Sequence, residues 1–232
     1  SKRYFIAGTD TDVGKTFVAE SLLLSANNAG YSTAGCKPIA AGCDENMHNP
    51  DALALMSAMS IDMSYQQVNP VVLKESIAPH IAAQHEDRNI RAAQLAVYCE
   101  GVFMHYTDLT LVEGAGGWRV PLNSRETMAD LAKALQIDVI LVVGMRLGCI
   151  SHAILTAEAI RADGLNLRAW VANRIDPDMD CYSENVATLK NVLGAPLLAE
   201  IPWIDSSDSS QIINNYNLSL ICHRYSGYSG YQ

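Results

Sequence analysis

The sequence has little that is typical of a membrane protein, a disulfide-stabilised protein or a nucleic-acid-binding protein. Its best apolar run, Ile137–Met145, is shorter than the ~18–20 residues of a membrane-spanning helix and contains Asp138. Six cysteines are scattered without a Cys-x-x-Cys pair, which is typical of reduced thiols rather than of a zinc site. Acidic residues (25) outnumber basic ones (16), and the net charge of −9 argues against binding to duplex nucleic acid or acidic lipid.

The opening of the chain and its composition indicate a cytoplasmic protein with one large domain. Residues 1–3 lead directly into a strand-like segment, without the layout of a secretory signal. Of the 232 residues, 49% are hydrophobic and 18% charged, which is enough apolar surface to bury a sizeable core. We expect a single domain over residues 1–224, a low-complexity tail over residues 225–232, and neither a nucleic-acid nor a membrane partner.

Short apolar runs alternate with longer segments of helical periodicity along the chain. The predicted strands are Tyr4–Ala7, Thr33–Pro38, Leu109–Glu113, Val139–Val143, Ala169–Ala172 and Leu197–Ile201. The predicted helices are Lys15–Ala29, Asp51–Met59, Ile90–Met104, Ser151–Ala162 (with Ser151 as its cap) and Ser183–Leu193. A polar loop is expected at Asp205–Ser210. This alternation predicts an α/β fold with a parallel sheet and helices on both faces.

The turn after the first predicted strand, Gly8–Thr16, has the sequence Gly-Thr-Asp-Thr-Asp-Val-Gly-Lys-Thr. Its Gly-Lys-Thr ending is typical of a phosphate-binding loop, in which backbone N–H groups surround phosphate, the lysine adds a cation and the threonine hydroxyl binds Mg²⁺. Five residues separate the two glycines, where the usual pattern has four. The motif and its position predict a P-loop NTPase-like fold that binds a nucleoside triphosphate.

Two carboxylates are candidates for holding magnesium against the phosphates. Glu113 is predicted to end a buried strand that Gly114–Gly117 cut off, at the carboxyl edge of the sheet where ligands bind in open α/β folds. The position of Asp51 fits a helix-capping or first-turn acid as well as a metal ligand. Lys37, which ends an apolar strand before Pro38, fits either a solvated lysine or a site residue.

Seven segments together resemble the dethiobiotin synthetase family. They are Gly8–Thr16, Gly35–Gly42, Asn49–Leu55, Val112–Trp118, Val142–Ile150, Trp170–Asn173 and Glu200–Trp203. The resemblance covers about Lys2 to Leu220 in matching order, and the long phosphate loop of the family accounts for the additional residue. It implies a ligase that uses ATP and Mg²⁺ to join 7,8-diaminononanoate and CO2 into dethiobiotin, through a carbamate and a carbamic-phosphoric anhydride, with release of ADP and phosphate.

The resemblance also implies a role for each residue that matches a family motif. The implied catalytic residues are Thr11, Lys15 and Lys37. The implied metal ligands are Thr16, Asp51 and Glu113. The implied nucleotide contacts are Asp12, Val13, Gly14, Lys15, Thr16, Phe17, Asp51, Glu113, Gly114, Ala115, Gly116, Asn173, Arg174, Pro202, Trp203 and Ile204. The implied substrate contacts are Lys37, Ala41 and a helix start supplied by the partner subunit of a homodimer, namely Gly148, Cys149, Ile150 and Ser151.

Four positions depart from the residues that are common in the family. Ala41 stands where serine is frequent, Arg146 where lysine is, Ser151 where asparagine is, and Asp12 where glutamate is. The loss of a polar contact at Ala41 leaves open a diverged paralogue that acts on another diamine. A further alternative is a ParA- or MinD-like switch ATPase, although such proteins carry an early lysine in the phosphate loop where this chain has Thr9.

Overall fold

The computed structural model describes residues 1–205, 208–212 and 214–222. Its strands are β1 (Lys2–Gly8), β2 (Thr33–Cys36), β3 (Ile39–Ala41), β4 (Val71–Leu73), β5 (Leu109–Gly117), β6 (Asp138–Met145), β7 (Leu167–Arg174) and β8 (Leu197–Ile201). Its helices are α1 (Lys15–Asn28), α2 (Pro50–Ala58), α3 (Tyr65–Val68), α4 (Pro79–His85), α5 (Ala92–Phe103), α6 (Met128–Leu135), α7 (Cys149–Ala162) and α8 (Tyr182–Val192). Within these ranges, no helix is long and apolar enough to cross a membrane.

Six of these strands form one parallel sheet in the order β2-β5-β1-β6-β7-β8, and the parallel sheet predicted from the βα alternation is confirmed. The central strands are continuously apolar, and Phe5, Val112 and Leu141 on β1, β5 and β6 have no exposed surface. Because all six strands run the same way, the loops that follow β1, β2 and β5 lie side by side at the carboxyl edge of the sheet.

Strand β5 is longer than its glycines predict. The prediction that Gly114–Gly117 end the strand after Glu113 is wrong, because β5 continues to Gly117. A Cβ atom on Gly114 would lie 3.0 Å from the Phe5 ring and 3.3 Å from the Ile6 carbonyl oxygen, so the missing side chain lets β5 approach β1 closely. Glu113 therefore lies within the strand, opposite Ile6 on β1, and not at the end of the strand.

Helix α7 begins earlier than predicted. The prediction of Ser151 as its cap is wrong, because the helix starts at Cys149 and its N-cap is Gly148. Gly148 has a left-handed φ of 96°, a conformation that favours glycine. The Cys149 N–H group donates to the Arg146 carbonyl (3.0 Å), which ties the first turn of α7 to the end of β6.

Five short elements escape the prediction from sequence. Strands β3 and β4 have three residues each and pair in parallel as a separate small sheet. Helices α3 and α4 have four and seven residues, too few to show helical periodicity. Helix α6 has a capping box at Thr127 and Asp130, a signal that could have revealed it. Together with α2, the elements β3, α3, β4 and α4 make an insert between β2 and α5.

The segment after β8 contains short helical turns. Two 3-10 helices, Ser209–Ile212 and Leu218–Leu220, follow β8 within the described residues. The first of them begins inside the polar loop predicted at Asp205–Ser210. The low-complexity tail predicted for residues 225–232 lies outside the described residues.

Two glycines should respond oppositely to replacement by alanine. A Cβ atom on Gly144 in β6 would lie 2.7 Å from Val13 Cγ1 and 2.8 Å from Ile175 Cδ1, so Gly144→Ala should destabilise the fold by about 1–3 kcal/mol through overpacking. A Cβ atom on Gly101 in α5 meets nothing within 4 Å, so Gly101→Ala should stabilise it by about 0.5–1 kcal/mol. The free energy of unfolding in urea measures both changes, provided that the m-value stays the same. Equal changes in the two variants would contradict the packing described.

Candidate active site

A cleft of about 1080 Å³ lies at the carboxyl edge of the sheet. One wall is the phosphate loop from Thr11 to Phe17, and the floor contains Lys37 after β2 and Glu113 within β5. The opposite wall consists of the loop between β4 and α4, residues 74–78, and of Pro79 at the start of α4. The loops that lie side by side in the parallel sheet thus form a single concave site.

The phosphate loop is held in place by close packing against β7. Gly14 has a φ of 86°, and a Cβ atom there would lie 2.2 Å from Asn173 Nδ2. The same Asn173 amide group donates to the Val13 carbonyl oxygen (2.8 Å). Asp12 also adopts a left-handed φ of 57°. These contacts set the backbone that leads into α1, where N–H groups at a helix start favour an anion.

Four side chains on the floor of the cleft form what we call the Lys37 cluster: Thr16, Lys37, Asp51 and Glu113. Lys37 Nζ lies 2.6 Å from Glu113 Oε1 and 2.8 Å from Asp51 Oδ2. The Thr16 hydroxyl donates to Glu113 Oε1 (2.7 Å). Glu113 has no exposed surface and Lys37 is 4% exposed, so this is a buried ion pair and not a surface one.

The charges of the cluster stabilise one another against burial. Burial lowers the pKa of Lys37, but the Glu113 and Asp51 carboxylates outweigh it and raise that pKa above the usual value. Burial raises the pKa of Asp51, and the Lys37 ammonium outweighs it and holds that pKa below the usual value. Lys37 is therefore a permanently charged group at neutral pH.

Lys15 is the second buried ammonium of the cleft. Its Nζ donates to the Asp10 carbonyl oxygen (3.1 Å). Burial and then the neighbouring Lys37 charge lower the pKa of Lys15 to about 8, although the Glu113 and Asp51 carboxylates act in the opposite direction. Two ammonium groups thus face the same cleft, an arrangement that favours anionic ligands.

The donor set of the Lys37 cluster fits a magnesium ion. It offers the Thr16 hydroxyl and the carboxylates of Asp51 and Glu113, and oxygen atoms of this kind are the ligands that Mg²⁺ prefers. Glu113 Oε2 is buried and has no hydrogen-bond partner among the described residues, although buried carboxylate oxygens normally have one. An unsatisfied oxygen beside the phosphate loop is what a cation bound to a nucleotide would need.

The remaining residues implied by the resemblance fall into two groups. Thr11, Asp12, Gly14, Phe17, Ala41, Ala115 and Gly116 line the cleft with the Lys37 cluster. The following residues do not line it: Val13, Gly114, Gly148, Cys149, Ile150, Ser151, Asn173, Arg174, Pro202, Trp203 and Ile204. In the second group, Asn173 and Arg174 end β7, and the Arg174 guanidinium stacks over the Tyr182 ring at 4.7 Å. Trp203, after β8, is 45% exposed.

The wall formed by the β4–α4 loop contains site residues that sequence reasoning missed. Lys74, Ser76, Ile77, Ala78 and Pro79 line the cleft opposite the phosphate loop. A Cβ atom on Gly42, after β3, would lie 3.0 Å from Ser76 Cβ, so this loop packs against the β3 end. The sequence signal was weak because three-residue strands show no periodicity, and only Pro79 at a helix start marked the segment.

An ion pair links the phosphate loop to the start of α7. Arg146 Nη2 lies 2.8 Å from Asp10 Oδ2, while Asp10 Oδ1 accepts the Thr11 N–H group (2.8 Å). Since Arg146 also begins the turn into α7, the helix start and the first half of the phosphate loop are connected through Asp10.

Comparison with known proteins places the chain in a family. A family model described as an AAA domain matches residues 2–211. The ATP-dependent dethiobiotin synthetase BioD of Cellvibrio japonicus is 54% identical over 211 residues, which cover 90% of this chain and 92% of the relative. Those of Pseudomonas aeruginosa (strain UCBPP-PA14) and Vibrio campbellii are each 47% identical, covering 93% and 91% of this chain and 96% and 95% of the relatives. The chain belongs to the dethiobiotin synthetase family.

Solved structures show that the fold of this dethiobiotin synthetase family member is shared with a ParA family ATPase and with MinD. A ParA family ATPase from Chlorobium tepidum matches with a TM-score of 0.56 and 13% identity, over 95% of this chain and 93% of that one. MinD from Pyrococcus horikoshii matches with a TM-score of 0.54 and 14% identity, over 91% and 93%. At this identity the likeness shows the fold alone, and it confirms the predicted P-loop NTPase-like architecture.

The lowered pKa of Lys15 predicts that ATP affinity falls at alkaline pH. Binding a polyanion favours the charged lysine, so the dissociation constant should be constant below pH 7 and rise about tenfold between pH 7 and pH 9, as Lys15 loses its proton through a pKa of about 8. Isothermal titration calorimetry across this range measures it. Lys15→Arg, which stays charged, is the control that should remove the dependence, and a flat wild-type profile would contradict the assignment.

The Arg146–Asp10 contact predicts a loss of turnover with little loss of stability. Arg146→Ala should lower ATP-dependent turnover roughly threefold to tenfold, because Asp10 then orients the Thr11 N–H group less well. The unfolding free energy should change by less than about 0.5 kcal/mol, since the pair is half-exposed. Lys133→Ala, which removes an ion pair of similar exposure from α6, is the matched control. Full turnover in Arg146→Ala would refute the link.

Proposed function

We propose that this chain carboxylates 7,8-diaminononanoate with CO2 and closes the ring to dethiobiotin, at the expense of MgATP. The observation that carries the proposal is the presence of the phosphate loop and the buried Lys37 cluster in one cleft. A triphosphate and a carbamate are both anions, and two buried ammonium groups in the same cleft offset their repulsion. Relatives at 54% and 47% identity, named ATP-dependent dethiobiotin synthetases, support the same reaction.

The reaction needs three bond-forming steps. One amine of the substrate attacks CO2 and loses a proton, which gives the carbamate. A carbamate oxygen then attacks the γ-phosphorus of ATP, and the bond to ADP breaks. The second amine attacks the carbonyl carbon of the mixed anhydride, and phosphate leaves as the cyclic urea closes. Because the second step brings the carbamate anion against the triphosphate, positioning and charge compensation are the main contributions that the protein makes.

We assign Lys37 to binding the carbamate and Lys15 to binding the phosphoryl group that is transferred from ATP. Lys37 is buried and remains charged, so water screens its electrostatic interaction with an anion only weakly. Lys15, at the first position of α1, lies within reach of the phosphates that the loop would surround. Thr11, which lines the same cleft, is assigned a hydrogen bond near both groups.

Thr16, Asp51 and Glu113 are assigned to magnesium. When bound, Mg²⁺ would neutralise charge on the β- and γ-phosphates. The fit rests on the oxygen donors of these side chains and on the unpartnered Glu113 Oε2. Asp51 lies in the first turn of α2, where the Asn49 side chain accepts its N–H group, so the capping function belongs to Asn49 and leaves the Asp51 carboxylate to the cleft.

The nucleotide is assigned to the phosphate loop and to the ends of β5, β7 and β8. Asp12 to Phe17 and Glu113 to Gly116 would contact the phosphates. Asn173, Arg174 and the segment Pro202–Ile204 would contact the base. Asn173 uses one N–H for the loop, and its second N–H and its oxygen remain for an adenine edge.

The far end of the substrate is assigned to Ala41 and to a partner subunit. Gly148–Ser151 do not line the cleft of their own chain, and in our assignment the helix start of a partner subunit contacts the substrate. The N–H groups at the start of α7 suit a carboxylate. Leu147 and Leu155, which are 92% and 62% exposed near this helix start, provide an apolar surface for such a contact.

A switch ATPase is the second candidate, favoured only by the shared fold. The assay that separates the two measures phosphate release from MgATP and bicarbonate, with and without 7,8-diaminononanoate. Diamine-dependent phosphate release with matching formation of dethiobiotin is expected. Diamine-independent release that DNA or lipid stimulates would instead support the switch.

Lys37→Gln should reduce diamine-dependent turnover by about 100-fold or more and leave ATP binding nearly unchanged, because the missing charge acts on the transition state. The reduction should appear in kcat rather than in the KM for ATP. The exposed Lys190→Gln on α8 is the control for removing a lysine charge and should keep full turnover. Normal kcat in Lys37→Gln would contradict the role.

A further inference from the structure

A chain of hydrogen bonds behind the cleft joins the backbone that bears Lys37 to the backbone that bears Asp51. The Tyr65 hydroxyl lies at its centre: it accepts the Asn49 N–H group (2.7 Å) and donates to Asn69 Oδ1 (2.8 Å). Each asparagine continues the chain toward one of the two cleft residues. Tyr65 and Asn69 do not line the cleft, so any effect that they have on its chemistry passes through other residues.

The Asn69 arm of this chain fixes the backbone at Lys37. Asn69 is 2% exposed, and its Nδ2 donates to the Lys37 carbonyl oxygen (2.6 Å). The Lys37 N–H group donates to the carbonyl oxygen of Val68, the last residue of α3 (2.8 Å). Both backbone polar groups of Lys37 are therefore bound to one short segment that begins at Tyr65. Since a buried polar group left unpaired costs free energy, a shift of this segment would carry the Lys37 backbone with it.

The Asn49 arm fixes the start of α2 and with it Asp51. Asn49 is 5% exposed; its Oδ1 accepts the Asp51 N–H group (3.0 Å), and its Nδ2 donates to the Gly42 carbonyl oxygen (2.7 Å). An N-cap residue fixes the backbone of the first turn of its helix. Because the Asn49 N–H group donates to Tyr65, the tyrosine hydroxyl holds this cap in place, and the cap in turn places the Asp51 carboxylate.

The Tyr65 side chain has a defined orientation. Its ring packs against the His48 ring at a centroid separation of 4.2 Å, and a capping box between Ser64 and Gln67 fixes the start of α3. Burial raises the pKa of the Tyr65 hydroxyl above its usual value, so at neutral pH the hydroxyl keeps the proton that it donates to Asn69. One hydroxyl thus serves as acceptor and donor at once, and phenylalanine can make neither contact.

We propose that Tyr65 is a positioning residue of the reaction, whose hydroxyl sets the separation of the Lys37 and Asp51 backbones and so places the substrate-binding ammonium relative to the metal-binding carboxylate. The inference rests on the proposed function for the roles of Lys37 and Asp51. It assigns Tyr65 no contact with substrate, nucleotide or metal. A misplacement of about 1 Å that arises far from the reacting atoms can lower turnover about 100-fold, so a residue outside the cleft can have a large effect.

The test compares Tyr65→Phe with Tyr4→Phe in the full chain. Tyr65→Phe should lower the diamine-dependent kcat about tenfold to 100-fold, because Lys37 and Asp51 are no longer held at their relative positions. Calorimetry should show nearly unchanged ATP affinity without a divalent ion, since the phosphate loop is not part of the chain of hydrogen bonds. The increase in ATP affinity that Mg²⁺ produces should be about tenfold smaller than in the wild type.

Tyr4→Phe is the matched control, because it also removes a buried hydroxyl, which donates to the Ile221 carbonyl oxygen (2.9 Å). It should keep the wild-type kcat and the wild-type effect of Mg²⁺. Asn69→Ala interrupts the chain one contact further on and should reproduce both losses, so it replaces Tyr65→Phe if that variant does not fold. Since the two substitutions break the same chain, their effects on kcat should not multiply in the double variant.

Four results would overturn the proposal. They are wild-type kcat and Mg²⁺ effect in Tyr65→Phe, equal losses in Tyr4→Phe, an equal loss of ATP affinity without Mg²⁺, and multiplied effects in the double variant with Asn69→Ala. The third result would show that the whole cleft is disturbed, and not the relative placement of two residues. If the wild type forms no dethiobiotin, the proposed function fails, while the effect of Mg²⁺ on ATP binding still tests the placement of Asp51.

Discussion

The interaction on which the site depends is the compensation of Glu113, a carboxylate with no exposed surface, by Lys37. The parallel register produces this pair: Cys36 on β2 lies opposite Val112 on β5, so the residues that follow them, Lys37 and Glu113, are neighbours. Because β1 pairs with the other side of β5, the phosphate loop opens onto the same point. The chemistry of the cleft is thus a consequence of strand order.

Much of this arrangement can be predicted from sequence, and the errors have physical causes. The phosphate loop and the parallel sheet follow from Gly-Lys-Thr and from apolar runs, which are local signals. The end of β5 cannot be predicted from such signals, because Gly114 allows a close approach to Phe5 and does not form a turn. Ser151 looked like a cap, but the left-handed Gly148 starts the helix three residues earlier. The wall at Lys74–Pro79 depends on a three-residue strand pair that only tertiary packing stabilises.

The fold itself does not distinguish a dethiobiotin synthetase from a ParA family ATPase or from MinD, since all of them share it. The site of this chain is distinguished by what lines the cleft at the carboxyl edge of its sheet. Here the insert between β2 and α5 contributes one wall of the cleft, and the buried Lys37 and Glu113 form part of its floor. Such a cleft has room for a second reactant beside the nucleotide.

The contact between Asn173 and the phosphate loop has a consequence for attempts to redesign base preference. Asn173, which we propose as a contact of the base, is the natural residue to change, but its amide also donates to the Val13 carbonyl oxygen and fills the space above Gly14. A larger or non-donating side chain there would disturb triphosphate binding along with base selection. Libraries that seek a synthetase for a different nucleotide should therefore leave β7 intact and vary Pro202–Ile204, where the exposed Trp203 ring leaves space for change.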